Sequence, residues 1–134
     1  MKESRKDRCG TGRLQFAFLA GLLAFAFTPA EAADGSIGPV YIQSVTAVNV
    51  ALGGHAAGNV ELAIQGGFTP PTGVSCIDTV RVTTLRSSDP DKRLFALATS
   101  AQLTRQPVFL AISDDASLTA YPGRCSVKYI NLSQ

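Results

Sequence analysis

The sequence is poor in the side chains on which most enzyme chemistry depends. Its 134 residues include one His and no Trp, and aromatic residues make up only 7% of the chain. The single His, His55, lies in a glycine-rich turn, and the sequence places no oriented partner beside it for a catalytic triad or a histidine-based metal site. We therefore expect a solvated loop residue at His55, and a protein that is not an enzyme and uses no cofactor.

Motifs that carry catalysis or hold metals are also missing. The sequence contains no Gly-x-Ser-x-Gly elbow, no phosphate-binding loop and no His-Glu-x-x-His. The carboxylate pairs Asp114-Asp115 and Asp89/Asp91 lack the alternating oxygens and the glycine of a calcium loop. We interpret them as turn-forming and helix-capping residues, and we expect no metal site.

Residues 1–32 have the pattern of a secretory signal peptide. Residues 1–13 carry five basic and two acidic side chains, the apolar run 14–27 follows, and a small-x-small triplet ends at Ala32. This run of 14 residues is shorter than the roughly 20 that a membrane-spanning helix needs. The sequence predicts cleavage between Ala32 and Ala33, a periplasmic or secreted protein, and no stable membrane insertion after cleavage.

Removal of the leader changes the charge of the chain. The whole sequence has a net charge of +2, whereas residues 33–134 hold seven basic and seven acidic side chains. Nucleic-acid binding depends on clustered Lys and Arg, so this neutral remainder excludes that class of partner.

Two cysteines remain after cleavage, Cys76 and Cys125, because Cys9 belongs to the leader. A small exported domain with two cysteines predicts one disulfide between them. The alternative is a pair of free or metal-binding thiols, but no neighbouring His or further Cys supports metal.

Hydrophobic patterning predicts a mainly β domain over residues 39–134, after a flexible lead-in at 33–38. Strands are expected over 39–50, 59–65, 74–85, 108–112 and 125–132, and a helix lies between the third and fourth strands. The helix is expected to be capped by Asp89, with Pro90 at its first position, and to bury a stripe of Leu94, Leu97, Ala98 and Ala101. This order is that of an OB-like five-stranded Greek-key barrel.

Residues 92–113 and the two cysteine strands carry a resemblance to a known family. The chain resembles the B subunits of subtilase-cytotoxin-type toxins and related small exported OB-fold proteins. The matching parts are Cys76, the helix from Lys92 and the junction Arg105-Gln106-Pro107-Val108. The resemblance covers about half of the chain after the leader, and this sequence departs from the family in lacking Trp. It implies an OB fold, glycan binding and ring-shaped homo-oligomers, and it transfers no binding residue.

Function is therefore expected to be binding rather than catalysis. The leading hypothesis is an exported, non-catalytic OB-fold binding module, in one version a glycan-binding subunit like those of the toxins. The alternative is a monomeric periplasmic structural or accessory protein that binds a protein partner. Aromatic side chains stack on sugars on OB surfaces, and the candidates are Phe68 and Tyr121 in predicted loops, followed by Tyr41 and Tyr129. The alternative, and favoured, use of these side chains is to fill the ends of the barrel as hydrophobic groups.

Overall fold

The computed structural model describes residues 31–132 as six strands and one helix. Residues 1–30 of the predicted signal peptide lie outside the described residues. The elements are β1 (Asp34–Val40), β2 (Ile42–Ala47), β3 (Val60–Ile64), β4 (Arg81–Thr84), a 3₁₀ turn at Arg86–Ser88, α1 (Arg93–Thr104), β5 (Val108–Ser113) and β6 (Ser126–Leu132).

All six strands belong to one mixed sheet in the order β1-β5-β6-β4-β3-β2. Every neighbouring pair is antiparallel except β4 and β6, which run parallel. The predicted mainly β class with one helix is confirmed, but the sheet has six strands in an open order, and the five-stranded barrel is not confirmed in that form. The two outermost strands, β1 and β2, are consecutive in the chain and are separated only by Tyr41.

The start of the domain differs from the sequence prediction. Residues 34–38, predicted as a flexible lead-in, form most of β1 and pair with β5. Glycine and serine have low strand propensity, but propensity is overridden here because β5 supplies backbone hydrogen bonds whatever the side chain. The single strand predicted over 39–50 is divided between β1 and β2, with register shifts near Val40 and Ile42.

The core lies between the inner face of the sheet and α1. The alternation predicted for the second strand is confirmed, since Val60, Leu62 and Ile64 in β3 are all buried. The helix contributes Ala98 and Ala101, whose small side chains let it pack close to the sheet. The remaining buried apolar residues of this cluster are Ile37, Ile42, Val74, Val82, Val108, Leu110, Ile112, Cys125, Val127 and Ile130.

Helix α1 begins three residues later than the predicted Pro90. Residue Lys92, in a left-handed conformation with φ 58°, precedes the helix and makes no side-chain cap. Asp89 still performs the predicted capping, because its buried carboxylate accepts the N–H groups of Leu94 and Phe95 at 3.1 and 3.0 Å. These amides have no partner within the helix, so the carboxylate satisfies two donors from one turn away.

The predicted disulfide joins Cys76 and Cys125, with a Cα–Cα distance of 5.3 Å. It links the irregular segment before β4 to the residue that precedes β6. That segment was predicted as part of a long third strand, but β4 covers only its end. The N–H groups of Ile77 and Asp78 donate instead to the carbonyl of Gly123, which brings the two loops together beside the disulfide.

Candidate functional site

A pocket of about 370 Å³ opens on the outer face of the sheet. Three neighbouring strands supply a row of residues in which Ser36 of β1 pairs with Ala111 of β5, and Ala111 pairs with Tyr129 of β6. Because Ser36 and Ala111 are small and Tyr129 is large, this row is hollow beside the aromatic ring. The six residues of this outer-face pocket are Asp34, Gly35, Ser36, Ala111, Lys128 and Tyr129.

A β-bulge in β6 brings two functional side chains to this pocket. Ala111 pairs with Tyr129 whereas Ile112 pairs with Val127, so Lys128 is an extra residue on β6. The sequence predicts Val127 and Tyr129 on one face, but the bulge buries Val127 and leaves Tyr129 51% exposed on the other. Bulges commonly redirect side chains in this way near binding sites.

The outer-face pocket has a charged rim. Lys128 Nζ donates a hydrogen bond to Asp34 Oδ2 across its edge. The Lys128 hydrogen bond, with a further one from Ser113, lowers the pKa of the Asp34 carboxyl, so this group is an ionised acceptor near neutral pH. The pocket thus combines an exposed aromatic ring, an acceptor, a donor and the hydroxyl of Ser36. These are groups suited to holding a polyhydroxylated ligand by stacking and hydrogen bonds.

A second constellation, here called the charged cluster, lies at the end of the sheet next to the disulfide. Arg124 donates to Glu61 and, through Nε at 3.0 Å, to Asp78. Its guanidinium also lies 4.3 Å from the centre of the Tyr121 ring. Arg81 adds a second cation, 3.3 Å from Glu61 and 3.6 Å from Asp78. The cluster consists of His55, Glu61, Asp78, Arg81, Tyr121 and Arg124.

His55 belongs to this charged cluster, and the prediction that it is a solvated loop residue is wrong. Its side chain is only 12% exposed and stacks on Tyr121, with ring centres 4.6 Å apart. Nε2 lies 3.0 Å from the Arg124 guanidinium and 3.3 Å from Glu61. His55 follows the turn at Gly53 and Gly54, which is closed by an isolated antiparallel bridge between Leu52 and His55.

Glu61 and Arg124 were missed as members of any site by sequence reasoning. The available signal was Asp78, which alternation places on the same face of the predicted third strand as Val80 and Val82. A carboxylate on an apolar face is stabilised by a cationic partner, so its position could have pointed to one. Partial burial favours a raised pKa at Asp78, but hydrogen bonds from the N–H groups of Val80 and Arg81 and from Arg124 outweigh it and lower the pKa. The cluster therefore favours the ionised form of Asp78, and each of its two carboxylates lies within 4 Å of both arginines.

The aromatic candidates separate into two kinds. Phe68 is half-buried and packs against the core, and Tyr121 is stacked within the charged cluster. Neither loop residue is therefore a free stacking platform, and the packing of Phe68 agrees with the favoured hydrophobic use. Tyr129 and Tyr41 are the exposed ones. Tyr41 lines a different, open groove of about 670 Å³, called here the amide groove, with Ile42, Gln43, Gln65, Ala101, Gln102 and Arg105.

The four predicted turn and capping carboxylates have distinct roles. Asp89 caps α1, and Asp91 forms a surface ion pair with Arg93. Asp115 forms the predicted turn by accepting the N–H of Ser117, and hydrogen bonding from Ser117 lowers its pKa. Asp114 accepts two distant backbone N–H groups, from Ala33 and Ser75. Within residues 31–132 no group of three or more His, Cys, Asp or Glu side chains is arranged to hold a metal ion.

The predicted cleavage point lies at the beginning of the described residues. Ala32 is exposed, and Ala33 is half-buried against the core immediately before β1. In the portion of the chain that the structure describes, no helix has the length and apolarity to span a membrane.

No family model, curated protein or solved structure matches this chain.

Proposed function

We propose that this protein is an exported, non-catalytic binding module with an OB-like barrel, and that its outer-face pocket binds a carbohydrate. The single observation that supports the ligand class most directly is the exposed Tyr129 ring beside the Asp34–Lys128 pair. Recognition on this proposal uses stacking and hydrogen bonds, with no covalent step.

The proposal of a barrel is supported by the connection between the two outermost strands. β1 and β2 lie at opposite ends of the sheet order, yet only Tyr41 separates them in the chain. On this proposal they are two halves of one bent strand, which pairs with β5 along its first half and with β3 along its second. On this proposal the strands number five, and the order would close on itself around α1 as in an OB barrel.

Export is supported by two independent features. The basic, apolar and small-residue segments of residues 1–32 follow the order of a cleaved leader. The Cys76–Cys125 disulfide suits an oxidising compartment, since cytosolic thiols are kept reduced. We therefore propose a periplasmic or secreted location.

The carbohydrate proposal rests on the match between the pocket's groups and those of a sugar. A pyranose presents an apolar C–H face, for which the half-exposed Tyr129 ring offers a stacking surface. Its hydroxyls both donate and accept, and they meet an ionised carboxylate at Asp34, an ammonium at Lys128 and a hydroxyl at Ser36. The volume of about 370 Å³ suits one or two sugar rings.

A glycan array on the exported protein, followed by titration calorimetry with the best ligand, tests this proposal. Tyr129→Ala is expected to weaken binding at least tenfold, because it removes the stacking surface without touching the core. Tyr41→Ala is the matched control, since Tyr41 is about equally exposed but lines the amide groove. Equal binding by wild type and Tyr129→Ala, or greater loss with Tyr41→Ala, would refute assignment of the ligand to this pocket.

A second candidate function, a protein-interaction module, is favoured by exposed apolar side chains near the charged cluster. Leu52 is 79% and Ile77 87% exposed, and the loops that carry them meet the segment 121–123. Large exposed apolar groups of this kind mark interaction surfaces when they are contiguous. The double variant Leu52→Ser, Ile77→Ser should then dissociate an oligomer or complex, with Leu103→Ser on the exposed side of α1 as control.

The resemblance to toxin B subunits makes a further distinction testable. Light scattering on the exported protein would give a stable pentamer if this module assembles like those subunits. A monomer would favour the accessory-protein version, and it would leave the carbohydrate test unchanged.

A further inference from the structure

The backbone nitrogen of Ala33 is held by a carboxylate from a distant part of the chain. Its N–H donates to Asp114 Oδ1 at 2.7 Å, while Asp114 Oδ2 accepts the N–H of Ser75 at 2.9 Å. The Ala33 carbonyl in turn accepts the N–H of Asp114 at 3.2 Å. Residue 33 is therefore fixed on both sides, at the point where the sequence predicts that the leader is removed.

The charges around this nitrogen are unbalanced. Asp114 and Asp115 follow β5, and Asp34 follows Ala33 directly, so three carboxylates surround the start of β1. Lys128 is the cation paired with Asp34, and it is also the cation that acts on Asp115. The other groups at this position are uncharged: the Ser113 hydroxyl donates to the Ala33 carbonyl, and Ser75 contributes its backbone N–H to Asp114. Three carboxylates are thus balanced by one lysine, so a further positive charge at this position would be stabilised.

We propose that Asp114 is the binding site for the α-ammonium group that cleavage between Ala32 and Ala33 creates. In the cleavage, water hydrolyses the peptide bond, the new carboxylate leaves on Ala32 and the new amine remains on Ala33, where it takes up a proton. An uncharged N–H donor then becomes an ammonium with three donors and a full charge. The hydrogen bond to Asp114 becomes an ion pair, so processing itself stabilises the folded domain.

This inference rests on the export part of the proposed function and is independent of the ligand. It also gives the Asp114 carboxylate a role beyond turn formation. Its two oxygens accept the N–H groups of Ala33 and Ser75, which lie 81 and 39 positions away in the chain. It also accounts for the position of the cleavage point immediately before β1. One residue of extra chain would displace the ammonium from the carboxylate.

The expected pH dependence has a defined sign. An amine that gains a carboxylate partner on folding has its pKa raised above the ordinary α-amino value of about 7.7–8.0. The resulting stabilisation is complete below that value and is lost as the pH rises through the higher pKa of the folded state. Between about pH 7 and pH 10 the folded-to-unfolded ratio should therefore fall by roughly fivefold more than in a chain without the charged amine.

The test uses the full chain produced with its own leader and purified from the exporting compartment. Intact-mass and amino-terminal sequencing should identify Ala33 as the first residue. The α-amine is then acetylated selectively near neutral pH, because an ordinary α-amino group loses its proton at a lower pH than a lysine side chain does. Urea unfolding of free and acetylated protein is compared for wild type, Asp114→Asn and the matched control Asp115→Asn, whose carboxylate instead accepts the N–H of Ser117.

Acetylation should reduce the folded-to-unfolded ratio about fivefold in wild type and in Asp115→Asn, and have little effect in Asp114→Asn. If Asp114→Asn does not fold, titration of the α-amine by its acylation rate in folded wild type serves instead, and should show a raised pKa. A first residue other than Ala33, an equal acetylation effect in all three proteins, or an ordinary α-amine pKa in the folded chain would overturn the proposal. Failure of carbohydrate binding would leave each of these measurements unaffected.

Discussion

Replacement of Arg124 by Met tests whether the charged cluster holds the two loops together. Arg124 is only 13% exposed, and its partners Glu61 and Asp78 are 18% and 23% exposed. The substitution retains most of the side-chain volume but leaves both carboxylates with a single guanidinium, that of the more exposed Arg81. It also removes the cation that lies over the Tyr121 ring.

The expected loss is about 3 kcal/mol of unfolding free energy. Breaking a buried ion pair by removing one partner costs about 3–5 kcal/mol, and the partial exposure of these groups places the value at the lower end. For a domain of this size, that loss corresponds to a fall in Tm of about 10–20 °C. Urea unfolding followed by circular dichroism measures it directly.

Arg93→Met provides the matched control. Arg93 also pairs with a carboxylate, that of Asp91, but the two side chains are 82% and 66% exposed. Exposed pairs contribute about 0–1 kcal/mol, so this variant should unfold almost like wild type. A loss of less than about 1 kcal/mol in Arg124→Met, or equal destabilisation of the two variants, would refute a stabilising role for the charged cluster.

Three further changes test other features of the fold. Gly54→Ala should lower the free energy of unfolding by about 1–3 kcal/mol, and by more than Gly53→Ala does. A Cβ at Gly54 (φ 89°) would lie 2.9 Å from the tyrosine ring of the charged cluster, whereas a Cβ at Gly53 would meet open space. Equal losses in urea unfolding would contradict this. Reduction of the disulfide should lower the unfolding free energy by about 4 kcal/mol, since it closes a loop of 49 residues, and unchanged stability in reductant would refute that reasoning. Three carboxyls have pKa values that are lowered on folding. The stabilisation they contribute is present above the unfolded pKa near 4, and it is lost as the pH falls through the lower pKa values of the folded state. A free energy of unfolding that stayed constant from about pH 5 to pH 2 would contradict this expectation. These carboxyls are Asp34, Asp78 and Asp115.

Much of the architecture follows from local patterns along the chain. Alternation over residues 59–65 identifies β3, and two cysteines in an otherwise small domain identify the disulfide. Asp89 was recognised as a capping residue because an acidic group before a helix satisfies free N–H donors wherever the first turn begins. These features depend on neighbours in sequence, and the sequence displays those neighbours directly.

The positions of the sites depended on contacts between distant residues. A one-residue bulge at Lys128 turned Tyr129 outward, and period-two patterning cannot detect an inserted residue in a paired strand. His55 is largely shielded from solvent because Tyr121 and Arg124, more than 60 positions away, stack against it and hydrogen-bond to it.

The sequence alone therefore determined the class of the fold, the disulfide and the expectation of a leader, since each depends on composition or local periodicity. Only the tertiary structure decided which polar side chains meet. It joined Asp34 to Lys128, Asp114 to Ala33, and Arg124 to Glu61. The physical reason is that a charge is stabilised by whichever partner the folded chain brings within hydrogen-bonding distance, and strand pairing brings those partners together across most of the chain's length.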